Sequence, residues 1–454
     1  MAHSGVGLDE GQAIAVLEFD DIQHILLTRT PAITGRYEFL SFDTAAGGRA
    51  WLTELLDKVQ SAADVQATMD SADRWVTLAF TWNGLRALGV PDESLATFPD
   101  EFREGMAARA DILGDTGPAA PERWVGGLAG DELHAIAILF SRTDDQYRRS
   151  IEEHDKLLAR TDGVRSLSHL DLNATPPFNY AHDHFGFRDR LSQPVMKGSG
   201  EEPTPGSGAA LEPGEFILGY PDEDGPVANL PEPKVLSRNG SYMAYRRLQE
   251  HVGVFRDYLR ANADTPEDQE LLAAKFMGRW RSGAPLVLAP DRDDPELGAD
   301  PMRNNGYNYK EMDPFGYACP LGSHARRLNP RDTAHYMNRR RMIRRGATYG
   351  PALPDDAPDD GVDRGIAAFI ICANLVRQFE FAQNVWINDK TFHELGNEHD
   401  PICGTQDSTL DFTVPKRPIR KVHKGLPAFT TLTGGAYFFL PGMNALRYLA
   451  TLGN

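Results

Sequence analysis

The sequence predicts an α+β protein made of two ferredoxin-like units with antiparallel sheets. Three observations lead there. Strand-like and helix-like segments alternate in the first 175 residues as two β-α-β runs. A comparable set follows a Pro/Gly/Glu-rich stretch at 198–214 that reads as a surface loop. The length, 454 residues, exceeds one ordinary core. The expected units are residues 15–175 and 176–454, the second interrupted by a long insertion at about 281–362.

Each element follows from its pattern. "IQHILLT" (22–28) reads as a strand, and Trp51, Leu52, Leu55, Leu56 and Val59 then recur at helical spacing. "WVTLAFT" (75–81) alternates Val76, Leu78 and Phe80, as a half-buried strand does. A helical stretch broken by Gly and Pro covers 82–110, then come a strand at 133–140, a helix at 145–159 and a strand at 164–172. In the second unit, "FILGY" (216–220) reads as a short strand, and 242–260 and 266–279 as helices. The insertion is irregular and rich in Pro, Gly, Asp and Arg, a kind of segment that is usually functional. "IAAFIIC" (366–372) is a strand and 374–388 a helix, while Gly434-Gly435 within 429–440 suggests a hairpin turn.

Composition narrows the function. Hydrophobic content of 41 % and charged content of 25 % mark a globular chain. A net charge of −18 argues against nucleic acid or an anionic membrane as the main partner. No apolar run approaches the roughly 18 residues that span a bilayer. Three cysteines (Cys319, Cys372, Cys403) do not make a disulfide framework, and the N-terminus shows no export pattern, so a cytoplasmic location is expected.

Against that acidic background, the window Cys319–Arg345 holds eight arginines, one histidine at each of 324 and 335, and a single acid, Asp332. It reads as an internal site for an anion. Two further elements accompany His324: "HDHFGFRDRLSQP" (182–194), with Asp189 in a glycine-containing turn, and "RRRMIRRGATYGP" (339–351). Singly, each has an ordinary reading as a structural histidine, an Asx turn or solvated arginines. His182 and His184 alternate and could share a metal, but no further ligand stands at zinc-like spacing. No dinucleotide fingerprint, P-loop or nucleophile elbow occurs. The residues alone leave an acidic protein with one electropositive His/Arg/Asp site.

Together the three elements resemble the dye-decolourising peroxidase family, haem enzymes built from paired ferredoxin-like domains. Gly186-Phe187-Arg188-Asp189 is similar to its GxxDG motif, "HARRLNPR" from His324 to its proximal-histidine run, and Arg344, six residues before Gly350, to its distal arginine. "FTWNGLRALGV", "EFILGYPDEDG", "RQFEFAQNVW" and "GGAYFFLP" extend the likeness over about 20–450, and the insertion and "RQFEF" resemble the larger, cytoplasmic-type members. The resemblance implies one haem b per chain, held by the C-terminal unit, with His324 as the proximal iron ligand. It implies Asp189 as distal acid–base group and Arg344 as stabiliser of peroxide cleavage. Arg331 would meet a haem propionate with help from His182, and Glu380, with Asn374 second, would accept from the other nitrogen of His324. Hydrogen peroxide and dyes, phenols or other bulky reductants are the implied substrates, with Trp386, Tyr336 and Tyr349 as candidate electron relays. Arg190 stands where the family has its second glycine. That departure keeps open a haem-binding protein with little turnover.

Overall fold

A computed structural model describes residues 16–32, 34–173, 182–189 and 191–453. Ten strands occur in chain order: β1 (Thr34–Phe42), β2 (Arg74–Phe80), β3 (Ala135–Ser141), β4 (Val164–Asn173), β5 (Ser241–Glu250), β6 (Ile343–Tyr349), β7 (Gly365–Cys372), β8 (Phe412–Val414), β9 (Lys421–His423) and β10 (Thr430–Leu440). Eight of them form one sheet, ordered β4-β1-β3-β2-β10-β5-β7-β6, and every paired neighbour is antiparallel. The order repeats: β4-β1-β3-β2 in the first half has its counterpart in β10-β5-β7-β6 in the second, the fourth, first, third and second strands of each set. The halves join edge to edge through β2 and β10, and the outer strands β4 and β6 approach one another, so the sheet curls toward a barrel.

The two faces are both buried. Tyr37, Phe39, Ile136, Ile138, Tyr245, Phe369, Ile371 and Phe438 pack on one face, while Leu40, Phe42, Leu78, Phe80, Tyr242 and Phe439 meet the helices on the other. Helix Ala45–Leu55 is capped by Thr44, whose side chain accepts the Gly47 N–H, and buries Trp51, Leu52 and Leu55. Helix Asp144–Arg160 starts on Thr143 with Asp144 and Asp145 in its first turn, where the dipole favours acids. Helices Val252–Asn262 and Pro266–Met277 build a separate core around Phe255, Phe276, Phe412 and Phe429 under the insertion. Among the described residues no helix is long and apolar enough to cross a membrane.

Five expectations are corrected. Residues 22–28 are no strand: His24–Leu26 is one 3₁₀ turn, held as a strap by the Gln23 side chain between Leu78 O and Pro441 O. "FILGY" contains no strand either; it follows a 3₁₀ turn (Pro213–Glu215), with Leu218 N–H on Gly240 O. Residues 241–250 form a central strand, and the helix begins only at Val252, because a strand buried on both faces loses its two-residue alternation. The insertion conceals edge strand β6. Gly434-Gly435 makes no hairpin; β10 runs through it with a register shift between Leu432 and Gly434. A Cβ on Gly434 would overlap Leu128, and one on Gly435 would overlap the Met106 sulfur, so these glycines permit close packing and not a turn.

Candidate active site

The histidine side is built at the start of helix His324–Leu328. Ser323, just before it, donates to Lys275 O at 2.6 Å and so ties the turn to helix Pro266–Met277. The His324 ring places Nδ1 3.0 and 3.2 Å from the two oxygens of Asp400, with Cys403 Sγ at 3.6 Å. Asp400 is fully buried and also accepts the Ile402 and Cys403 N–H groups. Burial alone would lower the proton affinity of His324, but the charge and hydrogen bond of Asp400 raise it well above the ordinary range. With Nδ1–H donated to Asp400, loss of the second ring proton to a metal would leave the lone pair on Nε2, which makes no hydrogen bond among the described residues. The side chain keeps 23 % of its surface accessible. A carboxylate on one nitrogen that makes the other a better ligand is the usual support of a metal-binding imidazole.

Asp400 therefore takes the place expected for Glu380. Glu380 is buried in a different network: Arg109 donates to it through Nε and Nη2 at 2.5 and 2.6 Å, and Tyr437 Oη at 2.8 Å. Asn374, the second candidate, is spent on its own helix turn, with its side chain accepting Arg377 N–H. Asp400 has no signal in the sequence; it stands 76 residues beyond His324 in an unremarkable "EHDPICG" turn.

Asp189 follows a tight turn that Asp183 closes, its Oδ1 accepting Phe187 N–H at 2.7 Å. Gly186 in that turn has φ +91°, and a Cβ there would stand 2.9 Å from Arg281 Nη1, so the first glycine of the motif is required. Arg188 turns away and donates to Gly298 O. Arg190 lies outside the described residues. Alternation on β6 puts Arg344 and Arg345 on opposite faces. Arg345 reaches the strap, bonding Ile25 O and Leu26 O. Arg344 reaches Leu191 O at 2.7 Å, and its backbone N–H is held by Gln193 Oε1 at 3.0 Å. Burial lowers the pKa of Arg344, and the charge of nearby Asp189 opposes it. The structure thus brings Asp189 and Arg344 together and excludes Arg345 from the same place.

Around them stand Arg279, Arg331 and Arg341. Arg341 donates to Ser192 O at 3.0 Å, and burial together with Arg344 and Arg331 pushes it down to about 9. Arg279 reaches Gly283 O, Asn304 O and Asn305 Oδ1. Arg331, at φ +53°, bonds Gly206 O, Asn305 O and Tyr307 O and stacks 3.7 Å above the Tyr307 ring. Among the described residues none of these four arginines, Arg344 included, has a carboxylate within ion-pair distance. Arg331 Nε and Gln193 Nε2 are buried without any partner. Four guanidinium groups gathered without acids in a chain this acidic suit an anion with more than one charge, and a haem with two propionates fits that requirement.

The remaining candidates separate. His182 pairs through its backbone with Arg188 at the edge of this turn, and burial and the Arg188 charge lower its pKa. His184 is buried with its Nε2 on Tyr349 O, so the two histidines share no metal. His324, Asp400 and Cys403 form the one group of potential metal ligands among the described residues. Of the three relay candidates, Trp386 and Tyr349 are buried and Tyr336 is 74 % exposed.

Comparison with known proteins accords with this geometry. Residues 21–171 match the family model for the DyP dimeric alpha+beta barrel domain. The chain is 31 % identical to Peroxidase 2 of Mycetinis scorodonius over 95 % of its length and 87 % of that protein. It is 30 % identical to a dye-decolorizing peroxidase of Mycena epipterygia, covering 96 % of this chain and 87 % of the other. The crystal structure of a fungal DyP-type peroxidase from Auricularia auricula-judae superposes with a TM-score of 0.85 at 26 % identity, over 97 % of this chain and 100 % of that one. With an α+β barrel and full-length relatives that are peroxidases, the chain belongs to the dye-decolorizing peroxidase family and is a haem-dependent peroxidase.

Proposed function

We propose that His324 would hold the haem iron, that Asp189 is the acid–base group and that Arg344 stabilises peroxide cleavage. The observation that carries this reading is the pairing of two half-sites. Among the described residues, a histidine has Nδ1 fixed by Asp400 and Nε2 left unbonded, and an aspartate–arginine pair stands among further arginines with no carboxylate within ion-pair distance. Bound haem supplies the two-electron reduction of hydrogen peroxide and the one-electron oxidation of reductants. Asp189 takes a proton from one peroxide oxygen and returns it to the other, so that the departing oxygen leaves as water. Arg344 places a fixed positive charge and N–H donors where negative charge grows as the O–O bond breaks, and its bonds to Leu191 O and Gln193 hold it there. Arg331, Arg341 and Arg279 hold the propionates, with His182 at the margin.

A solved dye-decolorizing peroxidase in complex with 2,6-dimethoxyphenol is 29 % identical to this chain at a TM-score of 0.83. It supports phenols of that size, along with dyes, as reductants here. A cytoplasmic location is supported by the three cysteines, all of which are free thiols. The decisive experiment compares native protein with Asp189→Asn. Haem content, read by the Soret band, should be unchanged, and the peroxide-dependent absorbance change should slow by about 10²–10⁴-fold. Equal rates would remove Asp189 from the proton transfer and leave Arg344 with water to carry it.

A further inference from the structure

The short hairpin of β8 and β9 ends in Lys416-Arg417-Pro418-Ile419-Arg420 and continues through Lys421 to Lys424, five cations in nine residues with no acid from Phe412 to the last residue. All five are exposed. Some surface cations are paired with acids: Arg74 meets Glu153, Arg160 meets Glu54 and Arg165 meets Asp43 and Glu132. None of the five hairpin cations has a carboxylate within ion-pair distance among the described residues. Acids are not in short supply, at 65 Asp and Glu against 47 Lys and Arg. Like charges crowded on one tip repel, and the sequence supplies nothing beside them that relieves it.

Flat apolar groups are interleaved with this charge. Ile419, at the tip, is 78 % exposed, and the neighbouring insertion presents Phe315 at 65 % and Tyr317 at 42 %. The two rings meet in a tilted arrangement, 6.0 Å between centroids and 52° between planes. Arg417 links them to the hairpin, its Nε 3.3 Å from Tyr317 Oη and its guanidinium 5.4 Å from the ring centre. The surface therefore offers anion-binding groups and ring-stacking groups within one small area. A tip of nine residues falls short of the about 1,200 Å² that a stable macromolecular interface buries. It suits a small ligand that is aromatic and anionic at once.

We propose that this hairpin tip, with Phe315 and Tyr317, is a docking surface for aromatic compounds bearing sulfonate or carboxylate groups, separate from the Asp189–Arg344 site. It gives the peroxidase a place to gather anionic reductants, and it rests on that activity only for its purpose, since the binding itself needs no turnover.

The test uses the haem-loaded full chain without peroxide and titrates a disulfonated azo dye by absorbance difference. The variant Lys416→Gln/Arg420→Gln/Lys424→Gln removes three exposed cations that make no hydrogen bond among the described residues, so the fold stays as it is. The expected result is a Kd for the dye raised about tenfold at low salt, with the native advantage lost in about 0.5 M salt. Phe315→Ser should weaken the same dye independently of salt, and the affinity of an uncharged methoxyphenol should not move. An unaltered dye affinity in the triple variant would overturn the proposal. So would an equal loss for the uncharged phenol, or a change in sedimentation with dye binding intact, which would make the tip a protein interface. A chain that bound dye but failed to turn over peroxide would leave this proposal standing and overturn the roles assigned to Asp189 and Arg344.

Discussion

The two ends of the arginine-rich window are built on different principles. At its start, Arg326 and Arg327 are buried and bonded from within through their terminal nitrogens, while the Nε of each has no partner among the described residues. Arg326 lies against Asp313 and Cys319 O, and Arg327 donates to Trp386 O, Asp389 O and Glu398 O. They brace the loop that aims His324. At its end, Arg331, Arg341 and Arg344 lean on carbonyls, and among the described residues none has a carboxylate within ion-pair distance. Internal satisfaction rigidifies a ligand; withheld satisfaction keeps charge available for what binds. On the proposed roles, the same residue type serves as scaffold in one place and as receptor in the other.

Replacing His324 tests the braced end with the largest expected effect. His324→Ala should abolish stable haem retention, measured as haem per chain after gel filtration, while Arg326 and Arg327 hold the loop. Retention at the native level would transfer the ligand role elsewhere, with His335 next in sequence.

At the open end, Arg344→Leu should slow the peroxide-dependent absorbance change by about 10²–10³-fold. Arg345→Leu should leave it near native, because Arg345 is spent on the strap at Ile25 and Leu26. A larger defect in the second variant would reverse the assignment of the two faces of β6.

A smaller effect separates Asp400 from Glu380. Asp400→Asn removes the anion from His324 Nδ1 and should weaken haem retention or activity about 10–100-fold. Glu380→Gln leaves Arg109 beside a neutral group and should lower thermal stability without altering the haem spectrum. Should the Glu380 variant change the spectrum and the Asp400 variant not, the accepting carboxylate has been misassigned.

How much of this was legible in sequence follows from where each signal resides. Helices Ala45–Leu55, Asp144–Arg160 and Pro266–Met277 were readable because capping residues and apolar spacing are local. β5 was not, since "SYMAYRRLQE" is covered on both faces and mixes apolar with charged side chains, leaving neither period. β6 was concealed for a related reason: its Arg344 and Arg345 read as solvated charge until neighbouring elements supply their carbonyls. The glycines of β10 carry opposite meanings in a turn and in a crowded strand, and only Leu128 and Met106 decide between them. The family resemblance singled out His324, Asp189 and Arg344 as candidates. Asp400 and Arg279 escaped because their roles arise from chain segments that meet only in three dimensions.

The least expected effect concerns the carboxyl pair behind the open end, and it bears on stability more than on turnover. Asp183 and Glu250 are both buried, Asp183 closing the turn that leads to Asp189 and Glu250 accepting His184 N–H at 3.0 Å. Burial raises both, and each repels the other, with Asp189 adding to the repulsion. Asp183 is pushed from 3.8 up to about 7, and Glu250 stands well above the usual carboxylate range. The charges around them give limited relief. His184 is pushed down to about 4 by burial and is neutral. Arg281 opposes the shift of Asp183 but donates to Glu270, and Arg364 donates to Asp360. The folded chain therefore holds a proton here that the unfolded chain releases above pH about 4. That contribution to stability is complete below the unfolded value and drains away as pH rises through about 7. The melting temperature of the native protein should fall between pH about 5 and about 7.5, and Asp183→Asn should flatten that fall while keeping an acceptor for Phe187 N–H. An unchanged slope in the variant would show that the proton is held elsewhere. A flattened slope would show that the turn carrying Asp189 is stabilised by protonating acids and not by pairing them, the reverse of the device that steadies His324.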